Sequence, residues 1–202
     1  MKVDAREHAV LARGLTRRFG DFTAVDAIDL DVRPGEIFGF LGANGAGKTT
    51  AIRMLSGLLL PTEGEAWVAG LPVLTHSEDI KGRIGYMSQR FSLYDDLRVE
   101  ENLDFYGGAY GMDRAERRGR ADELLERLGL GQYRRRMTAS LPLGFKQRLA
   151  LGAAVLHRPD ILFLDEPTGG VDPVARRRFW DLIYEMAEAG TTVFVTTHYM
   201  DE

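Results

Sequence analysis

The chain has 202 residues, with 26 Lys or Arg against 30 Asp or Glu, and its formal net charge at pH 7 is −4. This length suggests one domain, and the small negative charge gives no sign of the basic surface that nucleic-acid binding requires. The absence of cysteine excludes disulfides and thiolate metal sites, which fits a reducing cytosolic environment.

No part of the sequence has the pattern of a targeting or membrane segment. The first eight residues contain no apolar core of a signal peptide. No run approaches the ~18 consecutive apolar residues of a membrane helix. We therefore expect a soluble chain that acts at a membrane only through a partner.

The first third of the chain alternates predicted strands with turns. Apolar residues alternate with Asp over residues 25–32, which predicts a half-buried strand. After the turn signal at residues 34–35, the apolar run 36–41 predicts a buried strand. Helical spacing follows over residues 48–58, and residues 65–68 predict a short strand. The N-terminal part therefore predicts a small antiparallel β-subdomain.

The middle of the chain, from about residue 98 to residue 157, has helical patterns and is predicted to be an inserted helical subdomain. Beyond it the pattern runs from strand to helix to strand, at residues 161–164, 173–189 and 191–197. Strands that alternate with helices imply a parallel sheet with crossover helices. We predict an α/β fold with a mainly parallel sheet core, forming one domain over residues 1–202.

A glycine-rich loop, Gly42-Ala43-Asn44-Gly45-Ala46-Gly47-Lys48-Thr49, lies between a predicted strand and a predicted helix. It matches G-x-x-x-x-G-K-[ST] in full. Its glycines let backbone N–H groups converge on phosphate oxygens at the positive end of the following helix. Lys48 can reach the β- and γ-phosphates, and the Thr49 hydroxyl can bind Mg²⁺. A chance glycine-rich turn is the alternative, which the flanking strand and helix argue against.

Two carboxylates, Asp165 and Glu166, follow the apolar run 161–164. The carboxyl ends of parallel strands meet at one edge of the sheet, where ligands bind. Asp165 is then expected near the Mg²⁺ held by Thr49, and Glu166 is expected to orient the water that attacks the γ-phosphate. An ordinary strand exit into a polar loop is the alternative for these two residues.

Four further segments follow the order found in one family of phosphate-loop proteins. They are Phe19 before Gly20-Asp21-Phe22, Gln89 in Tyr86-Met87-Ser88-Gln89-Arg90, the run Asp165-Glu166-Pro167-Thr168-Gly169-Gly170-Val171-Asp172-Pro173, and His198 after the last strand. With these segments the chain resembles the ATP-binding domains of ABC transporters over essentially its whole length. Taken singly, Phe19 could be a core residue, Gln89 a surface residue, and His198 a satisfied polar residue.

The resemblance implies roles for named residues. Catalysis would depend on Lys48, Gln89, Glu166 and His198, and Mg²⁺ would be bound by Thr49, Gln89 and Asp165. Nucleotide would contact the loop itself and further residues on either side of it. That set comprises Phe19, Val25, Gly42, Asn44, Gly45, Ala46, Gly47, Lys48, Thr49, Thr50, Gly144 and Asp172.

The family's signature, Leu-Ser-Gly-Gly-Gln, corresponds here to Leu141-Pro142-Leu143-Gly144-Phe145-Lys146-Gln147-Arg148. Gly144 and Gln147 fit this pattern, and Leu143 and Phe145 stand at positions that vary in drug-exporter-like members. Pro142 replaces a serine that would give its hydroxyl and N–H to the γ-phosphate on a partner domain. Either the dimer has unequal sites, or later N–H groups of the helix bind phosphate and nothing is lost.

The resemblance implies a motor subunit that couples ATP-driven dimerisation to transport, export more than uptake. Its partners would be a second ATPase domain, identical or different, and an integral membrane permease. Phe91, Leu93, Tyr94 and Leu97 could line the permease groove or belong to the core. The location would be cytoplasmic, on the inner face of the cell membrane, without nucleic acid. Domains of this family usually continue past the switch histidine, so we expect a piece of a longer chain.

Two other functions are alternatives to this one. The first is a non-transport ABC ATPase of the ribosome-associated or DNA-maintenance type. Residues 89–165 contain no sustained heptads, and the net charge of −4 lends that class no support. The second is a phosphate-loop kinase, for which no set of lid arginines is evident.

Overall fold

The computed structural model describes residues 7–198. The strands are β1 (Val10–Phe19), β2 (Phe22–Val32), β3 (Ile37–Leu41), β4 (Glu63–Val68), β5 (Leu71–Pro72), β6 (Ile84–Met87), β7 (Ile161–Asp165) and β8 (Thr192–Thr197). The helices are α1 (Lys48–Leu55), α2 (Ser77–Lys81), α3 (Val99–Ala109), α4 (Arg114–Arg127), α5 (Leu143–Val155) and α6 (Pro173–Glu188). Two short 3-10 turns, Gly131–Tyr133 and Thr138–Ser140, lie between α4 and α5.

The strands form two sheets of different character. One is antiparallel, in the order β2-β1-β4-β5, and the other is parallel, in the order β3-β8-β7-β6. Helices α3, α4 and α5 lie between β6 and β7 in the chain, where the helical insertion was predicted. The predicted fold class, an α/β core with a small antiparallel β-subdomain and inserted helices, is therefore confirmed.

The parallel sheet separates two apolar clusters. Along β7, Leu162 and Leu164 pack with α3, α4 and α5, whereas Ile161 and Phe163 pack with α1 and the antiparallel sheet. Both faces of β7 and β8 are buried, because side chains alternate across a sheet that is covered on each side. Within residues 7–198, no helix is long and apolar enough to cross a bilayer.

Two predicted elements differ in detail from the structure. Strand β3 was predicted to be buried, but Leu41 at its end is 57% exposed, because β3 pairs only with β8 among the described strands. Helix α1 stops at Leu55 and not at residue 58. Gly57 adopts a φ of 71°, and the N–H of Leu58 donates to the carbonyl of Arg53 at 2.9 Å. This arrangement is typical of helices that end at a glycine.

A buried asparagine joins the segment after Gln89 to the turn before α5. Asn102 is fully buried; its Oδ1 accepts from the N–H of Tyr94 at 2.9 Å, and its Nδ2 donates to the Tyr94 carbonyl at 2.9 Å. The same Nδ2 donates to the hydroxyl of Thr138, also at 2.9 Å. A backbone bond from the Thr138 N–H to the Leu97 carbonyl, 2.9 Å, runs parallel to this side-chain contact. We call this set of bonds the Asn102 brace.

Replacing Asn102 with alanine is expected to lower the free energy of unfolding by about 3 kcal/mol, since the buried Thr138 hydroxyl would be left without its donor and the Tyr94 N–H and carbonyl would each lose a bond. Urea denaturation measures this change. Gln132, an exposed amide between α4 and α5, is the matched control, and Gln132→Ala is expected to change stability by less than about 0.5 kcal/mol. Equal effects of the two substitutions would contradict the brace.

Candidate nucleotide-binding site

The glycine-rich loop connects β3 to α1 and is held tightly against β2. Gly45 and Gly47 have φ values of 84° and 85°, which side-chain-bearing residues rarely adopt. A Cβ at Gly47 would lie 2.2 Å from the carbonyl oxygen of Ala24. Gly47 is also the N-cap of α1, whose first turn contains no acidic residue. The loop therefore presents free N–H groups and a positive helix end to an anion.

The ammonium of Lys48 lies inside this loop, in a side chain that is 5% exposed. Its Nζ donates to the carbonyls of Gly42 and Ala43 at 2.6 and 3.0 Å. It also lies 3.2 Å from Oε1 of Glu166. Three oxygen acceptors thus hold one buried positive charge at the mouth of the phosphate loop.

The last residue of β7 lies beside the first turn of α1. The Thr49 hydroxyl donates to Oδ1 of Asp165 at 3.1 Å, and the hydroxyl of Thr196 donates to the same oxygen at 2.8 Å. Asp165 is 1% exposed. Tyr86 lies near this carboxylate, and burial, together with the negative charge of Asp165, raises the pKa of the Tyr86 phenol above its ordinary value.

Glu166 is the centre of a four-residue contact. Its carboxylate meets Lys48 through Oε1, and its Oε2 accepts from Nε2 of Gln89 at 3.0 Å and lies 3.3 Å from Nδ1 of His198. The residue has a φ of 47°, in the left-handed region. The structure therefore brings together Lys48, Gln89, Glu166 and His198, which come from four separate segments of the sequence.

An open cleft of about 370 Å³ adjoins these groups. Its walls include Phe22, Ala24, Asn44, Gly45, Gly47, Lys48, Thr49, Thr50, Gln89 and Glu166. Val25 lies behind the loop in the core, and Gly42 and Ala46 are not part of the walls.

Of the two aromatic residues near the hairpin between β1 and β2, it is Phe22 that lines the cleft. Phe22 is 63% exposed. Phe19 is not a core residue either, since it is 47% exposed, and the guanidinium of Arg17 lies 4.6 Å from its ring centroid. Phe22 was missed by the sequence analysis, although an aromatic residue in a hairpin next to the loop is a usable signal.

Gly144 and Asp172 are not brought to the phosphate loop. They line a separate cleft at the N-terminal ends of α5 and α6. The Asp172 carboxylate caps α6 by accepting from the N–H groups of Val174 and Ala175, both at 3.0 Å, and the bond from Ala175 lowers the pKa of Asp172 most. Pro142 is the N-cap of α5, and its carbonyl accepts from two amides of the first turn, 3.0 and 3.1 Å away.

Thr196 is the second site residue that the sequence analysis missed. Its hydroxyl touches both residues of the Asp165-Glu166 pair, because it also accepts from the Glu166 N–H at 3.0 Å. A β-branched residue in a strand carries no functional signal by itself. Only the register of β7 against β8, which pairs Asp165 with Thr196, places it there.

The described residues suit a metal that is bound mainly through phosphate and water. Residues 7–198 contain no group of three or more His, Cys, Asp or Glu side chains that could hold an ion. They do bring one hydroxyl, from Thr49, and one carboxylate, from Asp165, to the mouth of the phosphate loop. That small oxygen set is the kind that Mg²⁺ uses with nucleotide phosphates.

A parallel sheet with a phosphate loop after its edge strand β3, and a carboxylate pair at the end of β7 in the same sheet, with β8 between the two strands, defines a phosphate-loop nucleotide-binding domain. Comparisons with known proteins identify the family within this class. Residues 25–169 match the family described as ABC transporter.

Several curated proteins are similar over nearly the whole chain. The probable multidrug ABC transporter ATP-binding protein YbhF of Escherichia coli is 50% identical over 196 residues, which are 97% of this chain and 34% of that protein. The daunorubicin/doxorubicin resistance ATP-binding protein DrrA of Streptomyces peucetius is 42% identical over 194 residues, covering 96% of this chain and 59% of that protein. The chain therefore spans about a third of the length of YbhF and about three fifths of the length of DrrA.

A solved structure supports the same assignment. CbiO1 of Clostridium perfringens, described as part of the ABC transporter complex cbiONQ, superposes with a TM-score of 0.86 at 28% identity. The match covers 96% of this chain and 80% of that one. The chain belongs to the ABC transporter family, as an ATP-binding domain.

Replacing Gly47 with alanine is expected to weaken ATP binding at least about tenfold, because the added Cβ would displace the loop from the Ala24 carbonyl. Titration with a fluorescent ATP analogue measures the change. Gly111→Ala is the control, since Gly111 has a similar φ of 76° but nothing within 4 Å of the added atom. Comparable loss of binding in both variants would indicate general destabilisation of the fold and would contradict a specific effect of the close approach at Gly47.

Proposed function

We propose that this domain hydrolyses ATP and drives an integral membrane permease, as the motor of an exporter. The observation that carries the proposal is the contact of Glu166 with Lys48, Gln89 and His198 beside the phosphate loop. It is supported by relatives whose names refer to multidrug transport and to daunorubicin resistance. We infer that the domain spans residues 1–202, with residues 98–157 as its helical subdomain.

Binding would start with the triphosphate. The N–H groups of the loop and the ammonium of Lys48 would contact the β- and γ-phosphates, whose oxygens can replace the carbonyls of Gly42 and Ala43 as partners of Lys48. Phe22, which lines the cleft, or Phe19, which pairs with it across the hairpin, would lie against the adenine, since both rings are exposed. Thr49 and Asp165 would hold Mg²⁺, directly or through water, with Gln89 within reach of the same side of the cleft. Bound there, the metal would neutralise charge on the β- and γ-phosphates.

Hydrolysis requires a water held in line with the γ-phosphate. Glu166 would orient this water, and the proposal is supported by its carboxylate lying 3.2 Å from the Lys48 ammonium that would hold the phosphate. Gln89 and His198 both contact Oε2 of Glu166, so they would orient that carboxylate. His198 can also donate an N–H to the γ-phosphate when the ATP site is closed.

Replacing Glu166 with glutamine is expected to lower the rate of ATP hydrolysis by about 100-fold or more while leaving ATP affinity nearly unchanged, because the amide keeps the shape but cannot accept a proton from water. Phosphate release and analogue binding are measured on the same preparation. Glu188→Gln, an exposed change at the end of α6, serves as the control. Hydrolysis at the unmodified rate in Glu166→Gln would remove Glu166 from the mechanism.

A second ATP-binding domain is the proposed partner across the cleft that contains Gly144 and Asp172. Because the Pro142 carbonyl already caps Phe145 and Lys146, the amides of Leu143 and Gly144 remain available at the positive end of α5. We propose that these two amides contact the γ-phosphate of the partner's ATP in place of the missing serine hydroxyl. The dimer can then be of identical or of different domains.

The permease is proposed to contact an aromatic cluster beside the Gln89 loop. Tyr94 and Phe105 are 43% and 46% exposed, and their ring centroids are 4.6 Å apart. Tyr106 packs edge-on against Phe105 at 5.6 Å. Phe91 and Leu93, which lie nearer to Gln89, pack instead against the helical core. Exposed, clustered aromatic rings are typical of protein interfaces, and this surface would place the domain on the cytoplasmic face of the membrane.

Replacing Phe105 with serine in the full-length protein is expected to move most of it from the membrane fraction to the soluble fraction of its native host, because the ring with the highest exposed fraction in the cluster is lost. Tyr184→Ser, which removes a 51% exposed aromatic ring from α6, is the control and is expected to leave the distribution unchanged. Immunoblots of the two fractions give the result. Membrane association that survives Phe105→Ser together with Tyr94→Ala would exclude this surface as the permease contact.

A further inference from the structure

One buried hydroxyl connects the two carboxylate residues of the site. Thr196 has no exposed surface, and its Oγ1 lies 2.8 Å from Oδ1 of Asp165 and 3.0 Å from the backbone nitrogen of Glu166. An N–H group can only donate, so the Thr196 oxygen accepts from Glu166 and its single hydrogen is left for Asp165. The hydroxyl therefore has one arrangement that satisfies both neighbours.

On one side the Thr196 hydroxyl contacts Asp165, the carboxylate that is proposed to lie beside Mg²⁺. Oδ1 of Asp165 accepts from Thr196 and also from Thr49, at 3.1 Å. These two donors come from different elements, β8 and α1, and they fix the rotation of the carboxylate at the mouth of the phosphate loop. In metal sites, groups that orient a ligand in this way commonly affect metal affinity and activity by about 10- to 100-fold.

The partner on the other side is a strained residue. Glu166 has a φ of 47°, a region that residues with side chains rarely populate unless the surroundings hold them there. Its N–H is bonded twice to Thr196, to the hydroxyl at 3.0 Å and to the backbone carbonyl at 3.1 Å. This turn directs the Glu166 carboxylate to Lys48 and Gln89. Thr196 thus helps to hold the backbone conformation on which the placement of that carboxylate depends.

The same strand supplies a comparison that has only a structural role. Thr192, at the opposite end of β8, is 2% exposed, and its hydroxyl accepts from the N–H of Gly35 at 2.9 Å. It has the same side chain and a similar burial, but it touches no residue of the cleft. If substitution of Thr196 and substitution of Thr192 have different effects, the difference therefore arises from the site and not from β8 as a whole.

We propose that Thr196 is a positioning residue of the ATPase, which orients Asp165 toward Mg²⁺ and holds the left-handed turn of Glu166. The proposal rests on the proposed ATP hydrolysis for its kinetic part only. The effects of Thr196 on the Mg²⁺ dependence of ATP binding and on hydrogen exchange of the Glu166 amide can be measured without turnover.

Thr196→Val keeps the shape of the side chain and removes the hydroxyl. In this variant, the gain in ATP affinity produced by Mg²⁺ is expected to fall about tenfold and kcat by about 10- to 100-fold, while ATP affinity in EDTA changes by less than about twofold. Hydrogen exchange of the Glu166 amide is expected to become faster, because one of its two acceptors is lost. Thr196→Ser, which restores the hydroxyl, is expected to recover all three properties, and Thr192→Val to leave them unchanged.

Two results would overturn the proposal: an unaltered Mg²⁺ dependence and Glu166 amide exchange in Thr196→Val, or a Thr196→Ser variant no better than Thr196→Val. If Thr196→Val does not fold, Thr196→Ala is compared with Thr196→Ser instead, because alanine also lacks the hydroxyl and is small enough to fit the site. If the unmodified protein binds ATP but does not hydrolyse it, the proposed hydrolysis fails, whereas Mg²⁺-dependent binding and amide exchange still decide the role of Thr196.

Discussion

The parallel register of β3, β8 and β7 is the constraint on which the site depends. It pairs Leu41 with Thr197 and Thr196 with Asp165, so the three strands end at the same level. The phosphate loop, the carboxylate pair and His198 each follow one of these ends. A slip of one residue in β7 would exchange its two buried faces, which contact different apolar clusters. Core packing therefore fixes the relative positions of groups that are far apart in the chain.

Electrostatics in the site follow from this geometry. Lys48 is a nearly buried cation whose charge is met by two backbone carbonyls and by Glu166. A buried charge is tolerable only with such partners. The same partners hold the ammonium at the loop, which reduces the ordering that phosphate binding would otherwise require. Stability of the loop and readiness for an anion thus come from the same contacts.

The parts of the site that the sequence predicted are those encoded in continuous segments. The glycine loop and the Asp165-Glu166 pair each combine a local pattern with a neighbouring apolar strand, so both could be located without knowledge of tertiary structure. Thr196 could not, because its importance arises from the register between β7 and β8. The exposed end of β3 could not be predicted either, since an apolar run looks the same in a central strand and in an edge strand. The separate cleft of Gly144 and Asp172 depends on how α5 and α6 pack together, which neither helix encodes alone.

Strand β3 has a consequence for handling the protein in solution. Among residues 7–198 it pairs with β8 alone, and its sequence, Ile-Phe-Gly-Phe-Leu, contains neither a charge nor a proline. Natural sheets usually protect such an edge with lysine, proline or a bulge, because an unprotected edge can add a strand from another molecule. In a concentrated preparation of these residues, β3 therefore offers an edge to which another molecule can add a strand.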